Sequence, residues 1–330
     1  MVRINKVLCH YEYGSPKDVV RLIEQPIPQL KSDEVLIETQ LAAVNPADIN
    51  MLEGRYATKP ELPCPLGYDG VGIVKEIGSS ISSINIGDHV IVPSSRGAWC
   101  HYRIENEKDV IILPKNIPFE VAVMFNVNPY TALLMLEKFI ALKEGDWIIQ
   151  NAANSGVGRA VIDIAKRRGI KTVNIVRRKE LIDELSDGDI VMTIEDLKAK
   201  KLMKLLPDTT MKLALNAVGG ESARHIARPL SRGGFHVTYG AMGLEPIMID
   251  NGLLIFKDIT VKGFWRSEWI RTSSPDQLKN IYGKIASLAE DGAFVVPIAE
   301  IYPFEKASEA IVHAQKDKRG GKVLLTPHAF

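Results

Sequence analysis

The stretch that decides the fold is DWIIQNAANSGVGRAVIDIAKRRG, residues 146–169. An apolar run, a turn of small residues and an amphipathic segment follow one another, which is the strand–turn–helix context a phosphate-binding fingerprint needs. Laid on the pattern G-x-G-x-x-G, the three glycine positions hold Ala153, Ser155 and Gly158. Only Gly158 is kept, at the position where a helix packs closely on the preceding strand. Ala153 and Ser155 remain small, so backbone can still approach a pyrophosphate. The amides of Gly156, Val157 and Gly158 open the helix and supply donors and partial positive charge. Asn154 and Ser155 add side-chain donors. Taken alone, the loop favours a cofactor site over the alternative, an ordinary strand-to-helix turn without a ligand.

The next apolar run adds a second signal. Nineteen residues beyond Gly158, TVNIVRRK ends on Arg177, Arg178 and Lys179, where an NAD-binding protein carries an acid for the ribose hydroxyls. An acid there repels a 2′-phosphate, whereas arginine offers it a planar, permanently charged fork. The pattern therefore favours NADPH over NADH; the alternative for the basic triplet is a solvated helix start.

Outward from this loop the chain divides. Residues 125–290 alternate short runs apolar on both faces (DWIIQNA, KTVNIV, DIVMTI, KLALNAV, GFHVTYGA, ITVKGFW) with helix-sized amphipathic segments. That is the texture of a parallel sheet covered on both sides. Residues 1–124 read instead as short β segments punctuated by Gly and Pro, suited to a barrel. Residues 291–330 return to strand-like runs around one helix and complete that first domain. The fold class is α/β, a β-barrel unit joined to a doubly wound parallel sheet.

Composition excludes several functions. Lys plus Arg number 41 against 40 Asp plus Glu, so no bulk field collects nucleic acid or an anionic membrane surface. No apolar run reaches the ~18 residues of a membrane span. Cys9, Cys64 and Cys100 are scattered and form no CxxC pair, which speaks against a disulfide framework or a cysteine-rich zinc lobe. The strand pattern starts almost at residue 1, so the expected compartment is the cytoplasm, or the mitochondrial matrix if a leader has been removed.

The segments NPADINMLEGRY, VNPYTALLML, QNAANSGVG, NIVRR, LALNAVGG, VTYGAM and GFWRSEW resemble, in order, the medium-chain dehydrogenase/reductase superfamily. Within it the chain is most similar to the trans-2-enoyl thioester reductases of mitochondrial fatty acid synthesis and their bacterial relatives. The resemblance implies a GroES-like catalytic domain, a Rossmann domain and a homodimer. It implies reduction by NADPH of a trans-2-enoyl thioester carried on coenzyme A or acyl carrier protein, with hydride to the β-carbon and a proton to the α-carbon.

Site residues carried over on these motifs are Tyr56 as proton donor and Trp265 near the cofactor and acyl chain. Asn128, Tyr239, Met242, Phe264 and Lys322 are carried over as cofactor contacts. For Trp265 a packing anchor is the alternative, and for Asn128 simple N-capping. The zinc-dependent branch needs a cysteine and a His-Glu pair where this chain has Asn45 and Tyr68-Asp69. Its seven histidines show no ligand pairing at helical spacing, and no metal site is expected. Tyr68-Asp69 also stands where the close family reads Asn-Glu, and the segment after TVNIVRRK is shorter than usual, so its helix should be clipped. Two rivals share the fold: an NADPH:quinone oxidoreductase, and a crystallin-like protein that binds NADPH without turnover.

Overall fold

The computed structural model describes residues 3–92, 97–198, 200–207 and 209–328. They form two compact units, one of residues 128–273 and one of the flanking segments before and after it.

The unit of residues 128–273 is built on six parallel strands: β1 Trp147–Gln150, β2 Lys171–Val176, β3 Ile190–Thr193, β4 Met211–Asn216, β5 Leu230–Thr238 and β6 Thr260–Gly263. Their order across the sheet is β3-β2-β1-β4-β5-β6. Strand order thus reverses beside β1, and ligands bind outside the carboxyl ends of the strands at such a switch point. The strands can be apolar on both faces because helices cover both; Ile148, Ile149, Val173, Leu213, Ala214 and Leu215 are all completely buried.

The helices that bear on function are α1 Asn128–Lys138, α2 Gly156–Arg167, α3 Gly220–Ala227, α4 Asn251–Lys257 and α5 Arg266–Thr272. In α2 the buried residues Val161, Ile162, Ile164 and Ala165 turn to the sheet and to α1, and Lys166 and Arg167 close the last turn, where cations suit the helix dipole. The segment after β2 is indeed short: two 3₁₀ turns, Lys179–Leu181 and Asp183–Leu185, replace a full helix.

The flanking unit holds a sheet of order Ile298–Pro303, Lys322–Thr326, Glu34–Ala43, Asp69–Ile77, His89–Ile91, Ile111–Leu113, with Tyr102–Asn106 also paired to Glu34–Ala43. A three-stranded sheet pairs Ile4–His10 with Val20–Pro26 and Cys64–Pro65. One core gathers Val35, Ile37, Val74, Val90 and Val92, and another packs Leu8, Leu52, Trp99, Phe304, Ile311 and Leu325. The C-terminal strand enters this sheet antiparallel, Leu324 opposite Ala43. Helix Pro275–Glu290 also falls here, whereas the sequence division gave it to the other unit. Its buried Ile281, Tyr282 and Ile285 face Phe119–Ala122 and Ile111–Leu113. Amphipathic spacing announces a packed face but not what covers it.

Candidate active site

In the Rossmann unit the loop after β1 is held from within. Ser155 caps α2, its hydroxyl accepting from Gly158 N at 3.1 Å. The amides of Gly156 and Val157 then lie in the first turn, where no intrahelical carbonyl reaches them. A Cβ on Gly158 would stand 2.5 Å from the carbonyl oxygen of Ala153, and one on Gly156 would stand 2.7 Å from Asn128 Nδ2. Both close approaches require glycine, and the second brings α1 against the loop. Asn128 is 6 % exposed and its Nδ2 has no hydrogen-bond partner. The buried hydroxyl of Tyr239 also has none; it faces Ser155 without closing a bond, and burial pushes its pKa up. Two buried, unanswered polar groups beside a helix N-terminus suit a polar anionic ligand, so the residues present fit a dinucleotide.

Arg177, Arg178 and Lys179 leave β2 directly after Val176, Arg178 half-buried and its neighbours exposed. Asn154 is exposed at the loop tip and Val157 half-buried. Met242, whose amide donates to Ala217 O, is exposed. Trp265, 38 % exposed, precedes α5 as its N-cap. Phe264, carried over as a cofactor contact, has its ring buried beside Phe139 and Trp269, centroids 6.3 and 6.5 Å away.

Sequence reasoning missed the framework beneath this loop. Gln150, Asn151, Asn174 and Asn216 are at most 1 % exposed. Gln150 Nε2 donates to Asn174 Oδ1 at 2.8 Å and to Gly158 O at 2.9 Å. Asn151 Nδ2 donates to Asn216 Oδ1 at 2.8 Å, and Asn216 Nδ2 to Thr238 Oγ1 at 3.1 Å. The amides of Val218 and Gly219 close on Asn216 Oδ1. These side chains tie the strand ends on which the loop sits. The available signal was an amide residue at the end of otherwise apolar runs, as in DWIIQN and KLALN.

The flanking unit contains a second constellation, organised by helix Pro46–Leu52. Asp48 accepts from Asn45 N at 2.7 Å through one oxygen and from Tyr68 N at 3.0 Å through the other. Asn45 Nδ2 donates to Asp69 Oδ2 at 2.8 Å, and Lys322 Nζ donates to Asn45 Oδ1 at 2.5 Å. Burial pulls the Lys322 ammonium down to about 8, against the opposing fields of Asp69 and Asp48. Burial likewise pushes the Asp48 carboxyl up to about 7, with the Asn45 and Tyr68 amides drawing it back. Lys322, carried over as a cofactor contact, is thus a buried cation within the barrel unit.

At the other end of the same helix, Asn50 O accepts from Tyr56 N at 3.1 Å. Tyr56 is half-buried and its ring lies 5.5 Å from that of Tyr68. The Tyr68 carbonyl accepts from Asn126, whose Oδ1 accepts from Tyr282. One helix therefore positions both the charged cluster and the candidate acid.

Comparison with known proteins follows this geometry. Residues 31–118 match the family model for the alcohol dehydrogenase GroES-like domain and residues 182–325 that for zinc-binding dehydrogenase. The fold and the two constellations therefore define a GroES-like/Rossmann oxidoreductase of the medium-chain type. The mouse mitochondrial enoyl-[acyl-carrier-protein] reductase is 38 % identical over 97 % of this chain and 88 % of its own length. Etr1p, a mitochondrial 2-enoyl thioester reductase of Candida tropicalis solved with NADP and crotonyl-CoA, superposes with a TM-score of 0.89 at 28 % identity, covering 98 % of this chain and all of that one. A Bacillus thuringiensis protein described as a putative NADPH:quinone reductase has a TM-score of 0.90 at 23 % identity, covering 99 % of this chain and all of its own, a likeness of fold. The chain belongs to the enoyl thioester reductase family of the medium-chain dehydrogenase/reductases. Zinc does not fit its donor set at Asn45, Tyr68 and Asp69: no thiolate or imidazole is among them, and Lys322 already supplies the cation.

Proposed function

We propose that this protein reduces the C=C bond of trans-2-enoyl thioesters with NADPH, hydride going to the β-carbon and a proton to the α-carbon. The observation that carries the reading is identity to enoyl-[acyl-carrier-protein] reductases that spans nearly the whole chain. The reduced nicotinamide, when bound, supplies the hydride. The chain's own residues do the rest. Ser155 and the amides of Gly156 and Val157 hold phosphate oxygens, with Gly158 capped by Ser155 and Asn154 at the rim. Arg177 and Arg178, helped by Lys179, take the 2′-phosphate. Asn128 and Tyr239 offer their unanswered polar atoms to the cofactor, with Met242, Trp265 and the Phe264 backbone beside them.

Tyr56 holds the proton for the α-carbon; a phenol hydroxyl is a competent donor to a strongly basic enolate carbon. The charged cluster of Asp48, Asn45, Asp69 and Lys322 fixes the helix and the Tyr68 wall against which Tyr56 lies.

Consumption of NADPH with a short trans-2-enoyl-CoA, run beside a quinone, tests the reading. Quinone turnover with none on the enoyl thioester would replace it with the quinone oxidoreductase. Acyl carrier protein, in the mouse relative's name, and coenzyme A, in the Etr1p complex, present the same acyl thioester; kcat/KM on the pair ranks them.

The assembly we propose is a homodimer through the open edge of β6. Beside it Ile255, Phe256, Leu254 and Met248 are 69, 75, 42 and 40 % exposed, an apolar patch that a second copy would cover. Phe256→Asp should turn a dimer into a monomer in light scattering. The mouse relative is named as mitochondrial, and fractionation against matrix and cytosolic markers distinguishes that compartment from the cytoplasm. No helix among the described residues is long and apolar enough to cross a membrane.

A further inference from the structure

Away from the site above, strand register brings together three side chains from distant parts of the chain. Glu38 lies on strand Glu34–Ala43, His101 immediately before strand Tyr102–Asn106, and His328 two residues beyond strand Lys322–Thr326. Strand Glu34–Ala43 pairs with both of the others. One potential ligand atom from each residue lies within 4.8 Å of the other two, and among the described residues no other His, Cys, Asp or Glu group does this.

The backbone that holds them is fixed. Thr39 N donates to His101 O at 2.9 Å, Thr326 Oγ1 donates to Gln40 O at 3.0 Å, and His328 N donates to Thr326 Oγ1 at 3.3 Å. The side chains are oriented too. His328 Nε2 stands 3.2 Å from Thr39 O, and the His101 ring stacks on Tyr102 at 4.2 Å. Glu38 Oε2 is engaged by Gln40 at 3.1 Å and Lys75 at 3.3 Å, while Oε1 accepts from the Tyr102 hydroxyl at 3.2 Å. Outer partners of this kind aim first ligands in metal sites.

Two observations point to a ligand. His101 Nε2 is buried without a hydrogen-bond partner. Its distance to Glu38 Oε1 is 3.7 Å, too long for a hydrogen bond. It is close to the roughly 3.4 Å separating two ligands that each bind one tetrahedral zinc at about 2.0–2.1 Å. Positive neighbours do not block the place. Lys75 engages the far oxygen of Glu38, and Lys6 is paired with Glu305 at 2.6 Å.

We propose that Glu38, His101 and His328 form a binding site for one divalent transition metal, with Zn²⁺ the best match to a His₂Glu set that leaves a fourth position for water. It is separate from the reductase chemistry and clips the end of the chain to the barrel. Binding needs neutral imidazoles, so metal affinity should fall as the pH is lowered.

The test uses the full, untagged chain, stripped with chelator and dialysed against micromolar ZnCl₂ or CoCl₂. About one metal per chain, a rise in Tm with Zn²⁺ and the visible bands of tetrahedral Co²⁺ are expected. His101→Ala, His328→Ala and Glu38→Gln should each weaken binding at least about tenfold. His225→Ala, at a His–Glu pair elsewhere, should leave it unchanged. A chain that stays metal-free, or keeps its affinity after His101→Ala, overturns the proposal. Should His101→Ala fail to fold, circular dichroism shows it, and the other two variants decide by the same criterion.

Discussion

Lys322 donates its ammonium to the amide oxygen of Asn45, 277 residues away in sequence and 2.5 Å away in space. The same Asn45 amide donates to Asp69, so one neutral side chain spaces a buried cation from a buried anion. Removing the cation leaves Asp48 and Asp69 without their counter-charge, and breaking a buried pair costs on the order of 3–5 kcal/mol. Lys322→Met should lower Tm strongly at pH 8 and less at pH 5, where Asp48, with its pKa near 7, is neutral. Adding Asp69→Asn should restore part of the loss, and a double-mutant cycle on chemical denaturation measures how much.

Tyr56→Phe keeps the ring against Tyr68 and removes the proton. Turnover of an enoyl-CoA should fall by about 10²–10⁴-fold, while NADPH affinity by fluorescence titration stays unchanged. Full activity in the variant would remove Tyr56 from the reaction.

Joint replacement Arg177→Ala with Arg178→Ala should raise the Kd for NADPH by roughly a hundredfold, two charge-assisted contacts being lost. NADH, which lacks the 2′-phosphate, should change little. Parallel losses for the two cofactors would place the 2′-phosphate elsewhere.

His236, on β5, is completely buried, and burial holds its pKa down to about 4 against an ordinary 6.5. Between these values the unfolded chain binds a proton that the folded chain refuses, so stability falls as pH drops from 6.5 toward 4. The limiting slope is about 1.4 kcal/mol per pH unit. His236→Phe should flatten that limb in urea titrations at a series of pH values. An identical acid limb in both proteins would assign it to other groups.

The sequence made the Rossmann unit legible because a small-residue turn between an apolar run and an amphipathic helix has few other uses. Arg177 and Arg178 were readable for the same reason: the end of the second strand is a fixed place. Side-chain direction was not readable. Phe264 and Lys322 occupy matched positions, yet one ring goes to the core between Phe139 and Trp269 and the other side chain into a charged cluster. Position transfers through a motif, whereas direction depends on packing partners the motif omits. His101 and His328 were judged by helical spacing and showed nothing; strand pairing joined them, and register is set by distant residues.

The amide framework under the cofactor loop has a polarity. From the central strand donors point outward both ways, Gln150 to Asn174 and on to Ile190 O, and Asn151 to Asn216 and on to Thr238. Backbone groups that can only give or only receive pin each step, as Gly158 O does for Gln150 and Ala217 N for Asn151. Turning Asn151 or Asn174 over would set donor against donor on one side and acceptor against acceptor on the other. The framework therefore works as a ratchet without a moving part: it admits a single arrangement, and having no titrating group it keeps that arrangement at any acidity or salt the fold survives.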